Sequence, residues 1–178
     1  MKADTLRKVF PIISVTAVVF IAVTLLGLTD TVVRSTIEWQ KEQKIQRMLY
    51  EIFPNMTEHT LEDDIYMIYS DEAKIGFAFL AVGKGYGGNI DILVGLENET
   101  TIKGVTIVSH LESPGLGARI TESSFRDQFV GVNIADVALR QKGGKIDAIT
   151  GASISSGAVV DAIRATVMEK IKSLENRE

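Results

Sequence analysis

Cysteine is absent from this 178-residue chain, and histidine occurs only twice, at His59 and His110. Without thiols there is no disulfide, zinc–thiolate site, protein-ligated iron–sulfur cluster or cysteine nucleophile. Two histidines do not make a multi-histidine metal centre, and no metal ligand is assigned. Positive charge is also scarce: Lys+Arg 19 against Asp+Glu 23 gives a formal charge of −4. That balance removes the electrostatic basis for binding nucleic acid. The elbow G-x-S-x-G is missing, and His110 alone stands as a base for a Ser-His-Asp hydrolase. The length allows one domain of ordinary size and little more. Any chemistry must come from oxygen-bearing side chains or from a carried cofactor.

What is present is unevenly distributed. From Val9 to Thr29 there are 21 consecutive uncharged positions, VFPIISVTAVVFIAVTLLGLT. At ~1.5 Å per residue a helix of that length crosses the ~30 Å hydrocarbon core of a bilayer. The run is too long and too apolar for an ordinary core helix, and no A-x-A-like cleavage site follows it. It reads as a retained membrane anchor in contact with lipid. Lys2, Arg7 and Lys8 precede it against Asp4 alone, whereas beyond it Arg34 is the only basic residue before Lys41. The positive-inside rule then puts residues 1–8 in the cytoplasm, the span at 9–29 in the cytoplasmic membrane, and the rest on the periplasmic or extracellular side.

Residues 30–54 read as a juxtamembrane helix and linker, with Ile37, Ile45, Met48, Leu49 and Ile52 on one face and Pro54 as its stop. Trp39 suits either a membrane interface or packing. Residues 55–178 read as the exported domain. Thr57–Asp64 is polar and reads as a loop, with His59 on its surface. Ile75–Val82, Ile90–Leu96 and Thr101–Ser109 read as strands bounded by Gly and Asn. A short helix is expected over Glu122–Phe129, and a hairpin where Val137–Leu139 and Lys145–Ile149 flank Gly143-Gly144. The final helix carries Val159, Val160, Ile163, Val167, Ile171 and Leu174 as its apolar stripe, with Ser155 or Ser156 as N-cap. The fold class is therefore α+β: an antiparallel sheet packed by helices, preceded by one transmembrane helix.

Three segments ask for more than folding does. Gly83-Lys-Gly-Tyr86-Gly-Gly88 is either a glycine-rich hairpin turn or a close approach to a ligand, and no helix pattern follows it as a dinucleotide fingerprint requires. His110-Leu-Glu112-Ser-Pro114-Gly115-Leu116-Gly117 follows a strand directly. Its His110 and Glu112 either satisfy loop backbone groups or belong to a loop that meets a planar ligand, with Leu116 packing on it. Asp147-Ala-Ile-Thr150-Gly151-Ala152-Ser153 runs into the last helix, where small neighbours leave the Ser153 hydroxyl open and the helix N-terminus favours an anion such as phosphate.

The third segment resembles the flavinylation motif D-x-x-[ST]-G-A-[ST], at whose last hydroxyl a flavin transferase attaches FMN through a phosphoester bond. Asp147, Thr150, Gly151, Ala152 and Ser153 match it position by position. Together with G-K-G-Y-G-G and H-x-E-S-P-G-L-G, it is similar to the FMN-binding domain of the G subunit of the Rnf electron-transport complex. The related C subunit of the Na⁺-translocating NADH:quinone oxidoreductase shares the domain but is usually longer. Ser153 stands where threonine is more frequent, and Ser113 replaces a threonine of the loop; both keep the hydroxyl. The resemblance implies a cofactor-binding set of Ser153, Asp147, Thr150, Gly151, Ala152, Tyr86, His110, Glu112, Pro114, Gly115, Leu116 and Gly117. It also implies FMN held covalently through Ser153, and no catalytic residue of the chain's own. The expected role is an electron relay within a complex that couples ferredoxin:NAD electron transfer to movement of Na⁺ or H⁺. The expected partners are the other proteins of the complex and the transferase. A membrane-anchored flavin sensor and a non-redox interaction module, whose three motifs are only turns, stand as alternatives.

Overall fold

The computed structural model describes residues 15–24 and 41–175, in a chain that divides into two units, Met1–Lys44 and Ile45–Glu178. In the first unit, residues 15–24 are helical, and Val15, Val18, Val19, Phe20, Ile21 and Val23 are all exposed. The Thr24 hydroxyl donates to the Phe20 carbonyl at 2.8 Å, a local bond that satisfies a polar group among apolar neighbours. Among the described residues no helix is long and apolar enough to cross a membrane. The rest of the 9–29 run, residues 1–8, Ile37 and Trp39 lie outside the described residues.

In the second unit every strand joins the next by a hairpin, so sequence order is sheet order. The strands are β1 (Glu58–Glu62), β2 (Ile65–Ser70), β3 (Ala73–Lys84), β4 (Asn89–Asn98) and β5 (Thr101–His110), all antiparallel. The pleat sends alternate side chains to opposite faces. Phe77, Phe79 and Ala81 of β3 and Ile90, Ile92, Val94 and Leu96 of β4 bury one face. Helix α3 (Ser153–Glu175) covers it with Val159, Val160, Ile163 and Val167, the stripe read from the sequence. Ile171 packs at the margin, and the side chain of Leu174 lies outside the described residues. Helix α2 (Ser123–Arg126) and the 3₁₀ turn after it add Phe125 and Phe129, whose rings meet edge to face at 5.5 Å.

The second face takes helix α1 (residues 41–52). Ile45, Leu49 and Ile52, followed by Phe53 and Met56, pack on Ile68, Ala78 and Leu93. Close seating depends on Gly95 of β4 and Gly104 of β5, which stand opposite each other in register. A Cβ on Gly95 would lie 2.5 Å from Ile52 Cγ2 and 2.8 Å from Phe53 Cε2. Arg126 ties the helices together, its Nη1 donating to Glu51 Oε1 at 2.8 Å and to Thr106 Oγ1 at 3.2 Å.

Four local expectations are corrected. Thr57–Asp64 is not a loop: it holds β1 and the turn into β2, a strand that hydrophobic patterning does not mark. β1 is a polar edge strand with no buried side chain, so it shows no apolar alternation. Both turns that follow run through left-handed pairs, Asp63-Asp64 and Asp71-Glu72, without the glycine that normally signals them. His59 is half-buried, with its ring 6.0 Å from that of Tyr66. The expected hairpin around Gly143-Gly144 is instead a 3₁₀ turn, Arg140–Lys142, closed by a single parallel bridge between Leu139 and Ile146. Gly143 ends that turn in the left-handed region at φ 85°. Finally, α3 starts at Ser153, so Ser155 and Ser156 lie inside its first turn and do not cap it.

Gly95→Val is expected to lower the unfolding free energy by about 1–3 kcal/mol through overpacking, read as a lower urea midpoint. An unchanged midpoint would show that α1 does not depend on this seat.

Candidate functional site

The three singled-out segments meet at one end of the sheet. β3 and β4 end in the Gly85–Gly88 turn, closed by the Gly85 N–H donating to the Gly88 carbonyl at 2.8 Å. β5 delivers His110 and the loop after it to the same end, because Ile90 pairs with His110. α3 starts there too, since a Cβ on Gly83 would lie 2.6 Å from the Ala158 carbonyl.

The joint between the segments is the carboxylate of Glu112, a residue only 6% exposed. A buried carboxylate needs donors, and Glu112 has one from each flanking segment. The Gly87 N–H donates to Oε1 at 2.9 Å, and the Ser155 hydroxyl donates to Oε2. The glycine turn lies flat on the loop: a Cβ on Gly87 would sit 2.0 Å from the Leu111 carbonyl oxygen. The Glu112 N–H donates to His110 Nδ1 at 3.2 Å. Further along, the Ser113 carbonyl accepts from the Leu116 and Ala118 N–H groups, which curls Pro114 and Gly115 outward.

The loop also reaches the third segment. Gly151 has φ +82°, and a Cβ placed there would lie 3.2 Å from Leu116 Cδ2. Ser156, fully buried, pins this turn by accepting from the Ile149 N–H at 3.0 Å and donating to the Ala152 carbonyl at 2.9 Å. Ser153 opens the 23-residue helix α3 with its side chain exposed, and its hydroxyl has no partner among the described residues. The N–H groups of Ser153, Ile154 and Ser155 have no carbonyl within the helix to bond, as in the first turn of any helix. Asp147 forks onto Arg140, and that hydrogen bond holds its carboxyl below the usual carboxylate range while raising the guanidinium.

Tyr86 (74% exposed), Leu111 (73%), Leu116 (52%) and Ile154 (60%) project from these same segments as exposed apolar side chains. A separate hollow of about 420 Å³, lined by Lys74, Gly76, Phe77 and Glu97–Thr100, lies at the other end of β3 and β4 and includes none of them.

Residues 85–168, a stretch that includes most of these groups, match the FMN-binding domain family. The G subunit of the ion-translocating oxidoreductase complex of Methanosarcina acetivorans is 33% identical over 170 residues, covering 88% of this chain and 90% of that one. This chain belongs to the same G-subunit family. Its relative from Aliivibrio fischeri, of the same name, is 29% identical over 173 residues, with 82% of each chain covered. The fold is shared with Shewanella oneidensis NqrC, at a TM-score of 0.50 and 19% identity over 67% of this chain and 73% of that one.

In this member of the G-subunit family the expected residues fall into two sets. Ser153, Thr150, Gly151, Asp147, Tyr86, Leu116, Pro114 and Gly115 are exposed around the joint, with His110 half-buried among them. Glu112 and Gly117 are buried beneath it, the carboxylate spent on Gly87 and Ser155, and Ala152 is buried with them. Four residues went unrecognised from sequence: Ser155 and Ser156, read only as caps, and Arg140 and Gln128, which hold Asp147. The short hydroxyl run after G-A-S was the one available signal.

Glu112→Ala is expected to destabilise the domain by about 1–3 kcal/mol, since it leaves the Gly87 N–H and the Ser155 hydroxyl without a partner. Amide exchange should accelerate together at Gly85–Gly88 and in the first turn of α3. Glu112→Gln, with an acceptor for one and a donor for the other, should be milder. Acceleration confined to residues 111–117 would contradict the joint.

Proposed function

We propose that this chain is the FMN-carrying electron-transfer subunit of an Rnf-type ion-translocating oxidoreductase, with FMN attached through a phosphoester to Ser153. The observation that carries the reading is the convergence of the three motifs on the Glu112 carboxylate, with Ser153 two positions before Ser155 and its hydroxyl without a partner among the described residues. The residues fit the group on two counts. A phosphodiester on Ser153 Oγ keeps one negative charge close to the free N–H groups and positive dipole end of α3. A planar ring suits the exposed apolar side chains of Tyr86, Leu111, Leu116 and Ile154, which otherwise lie bare in water.

Bound FMN supplies one-electron redox chemistry that a cysteine-free chain lacks. The chain's own work is positional. Glu112 keeps the glycine turn and α3 in register, Ser156 holds the acceptor turn, and Gly151 brings Leu116 close without a clash. The other proteins of the complex are the partners, the apolar run at 9–29 anchors the chain in the cytoplasmic membrane, and the domain lies on the periplasmic or extracellular side. The exposed apolar helix at residues 15–24 supports the anchor.

Expressed with a flavin transferase, the wild type should gain the mass of FMN less one water and fluoresce on a denaturing gel. Ser153→Ala should lose both signals while remaining folded, and Ser153→Thr should keep them. Covalent flavin on Ser153→Ala would move the attachment to Thr150 or another hydroxyl; none on the wild type would overturn the reading. A reporter fused after Glu178 should be active only as an exported type, and cytoplasmic activity there would reverse the topology.

A further inference from the structure

Asp147 stands six positions before Ser153, and every polar group it has is taken up within the chain. Its Oδ1 accepts from Arg140 Nε at 2.6 Å and its Oδ2 from Arg140 Nη2 at 3.0 Å, a bidentate fork. Its N–H donates to Gln128 Oε1 at 2.7 Å, and its carbonyl accepts from Gln128 Nε2 at 3.5 Å. The same amide nitrogen reaches the Ser124 carbonyl at 3.3 Å, and Arg140 Nη2 reaches the Lys145 carbonyl at 3.4 Å. The backbone joins in, with the Arg140 N–H donating to the Ile146 carbonyl at 2.7 Å.

Two side chains from separate turns thus fasten one residue at the entry to the Ile149–Ala152 turn. The ion pair is solvent-exposed, Arg140 at 65% and Asp147 at 60%. Exposed pairs contribute little to stability as a rule, so the two Arg140 bonds do more to fix the direction of Asp147 than to hold the fold. The geometry does constrain where the backbone leaves Asp147, and Ser153 follows within two short turns.

We propose that Arg140 and Gln128 are positioning residues for the covalent attachment of flavin: by gripping Asp147 they present Ser153 to the transferase, and the Asp147 carboxylate is read by Arg140 within the chain. The inference rests on the attachment reading above. In that step Ser153 Oγ bonds to the flavin-side phosphorus of a flavin adenine dinucleotide donor. The pyrophosphate P–O bond breaks, AMP leaves with the electron pair, and the serine proton passes to the transferase. No oxidation state changes.

The test follows attachment to the full chain over time, by intact mass and in-gel fluorescence, with transferase and flavin adenine dinucleotide supplied. Arg140→Ala, Gln128→Ala and Asp147→Ala should each slow the initial rate roughly tenfold, a loss typical of a displaced reacting group. The Arg140→Ala/Asp147→Ala double variant should be no slower than either single one. Gln128→Glu, which keeps an acceptor for the Asp147 N–H but sets an oxygen against the Ser124 and Asp147 carbonyls, should fall between the wild type and Gln128→Ala. Melting temperatures should stay close to that of the wild type. Wild-type rates in Arg140→Ala and Gln128→Ala, with Asp147→Ala slow, would show that the transferase reads the carboxylate itself and would overturn the proposal. Rate losses that track losses of melting temperature would overturn it as well. An unlabelled wild type would overturn the attachment reading and the grip with it.

Discussion

The site depends on one buried carboxylate. Glu112 belongs to the loop after β5, yet its two oxygens accept from the turn between β3 and β4 and from the first turn of α3. A charge removed from water must find donors or shift its protonation, so the donors cannot drift independently of it. Segments 25 and 43 residues away in sequence are thereby fixed against the same side chain. The exposed groups above it, Tyr86, Leu116 and Ser153, inherit their spacing from that arrangement.

The topology makes the convergence short-ranged in space. Hairpin order puts the end of β3, the start of β4 and the end of β5 at one end of the sheet, and the Gly83 contact with Ala158 brings α3 to the same end. The other face serves a different purpose. There Gly95 and Gly104 admit Ile52, and Glu51 binds Arg126, so α1 is held to the sheet and to α2. The division is clean: one end of the sheet gathers the three motif segments, and the second face binds the helix that follows the N-terminal apolar run in sequence.

How much of this was legible in the sequence varied with burial. β3, β4 and β5 and the α3 stripe declare themselves because Phe77, Phe79, Ile92, Val94 and Val160 must leave water. β1 did not, since it buries no side chain and its turns use Asp63-Asp64 and Asp71-Glu72 in place of glycine. The three motifs do come together at one end of the sheet, but their spacing does not give the role of each residue. Spacing could not show that Glu112 turns inward, that Ser155 answers it, or that Gln128 and Arg140 reach Asp147, because each of those bonds is set by tertiary contact.

We propose that three segments, held by Glu112, form one flavin site with its attachment point at Ser153. A crystal structure of the flavin-loaded protein tests it most directly. Continuous density is expected from Ser153 Oγ to phosphorus, with the ring against Tyr86, Leu111 and Leu116, and Glu112 still bonded to Gly87 and Ser155. A ring docked elsewhere, or Glu112 swung outward to bind it, would show that the three segments do not form the flavin site.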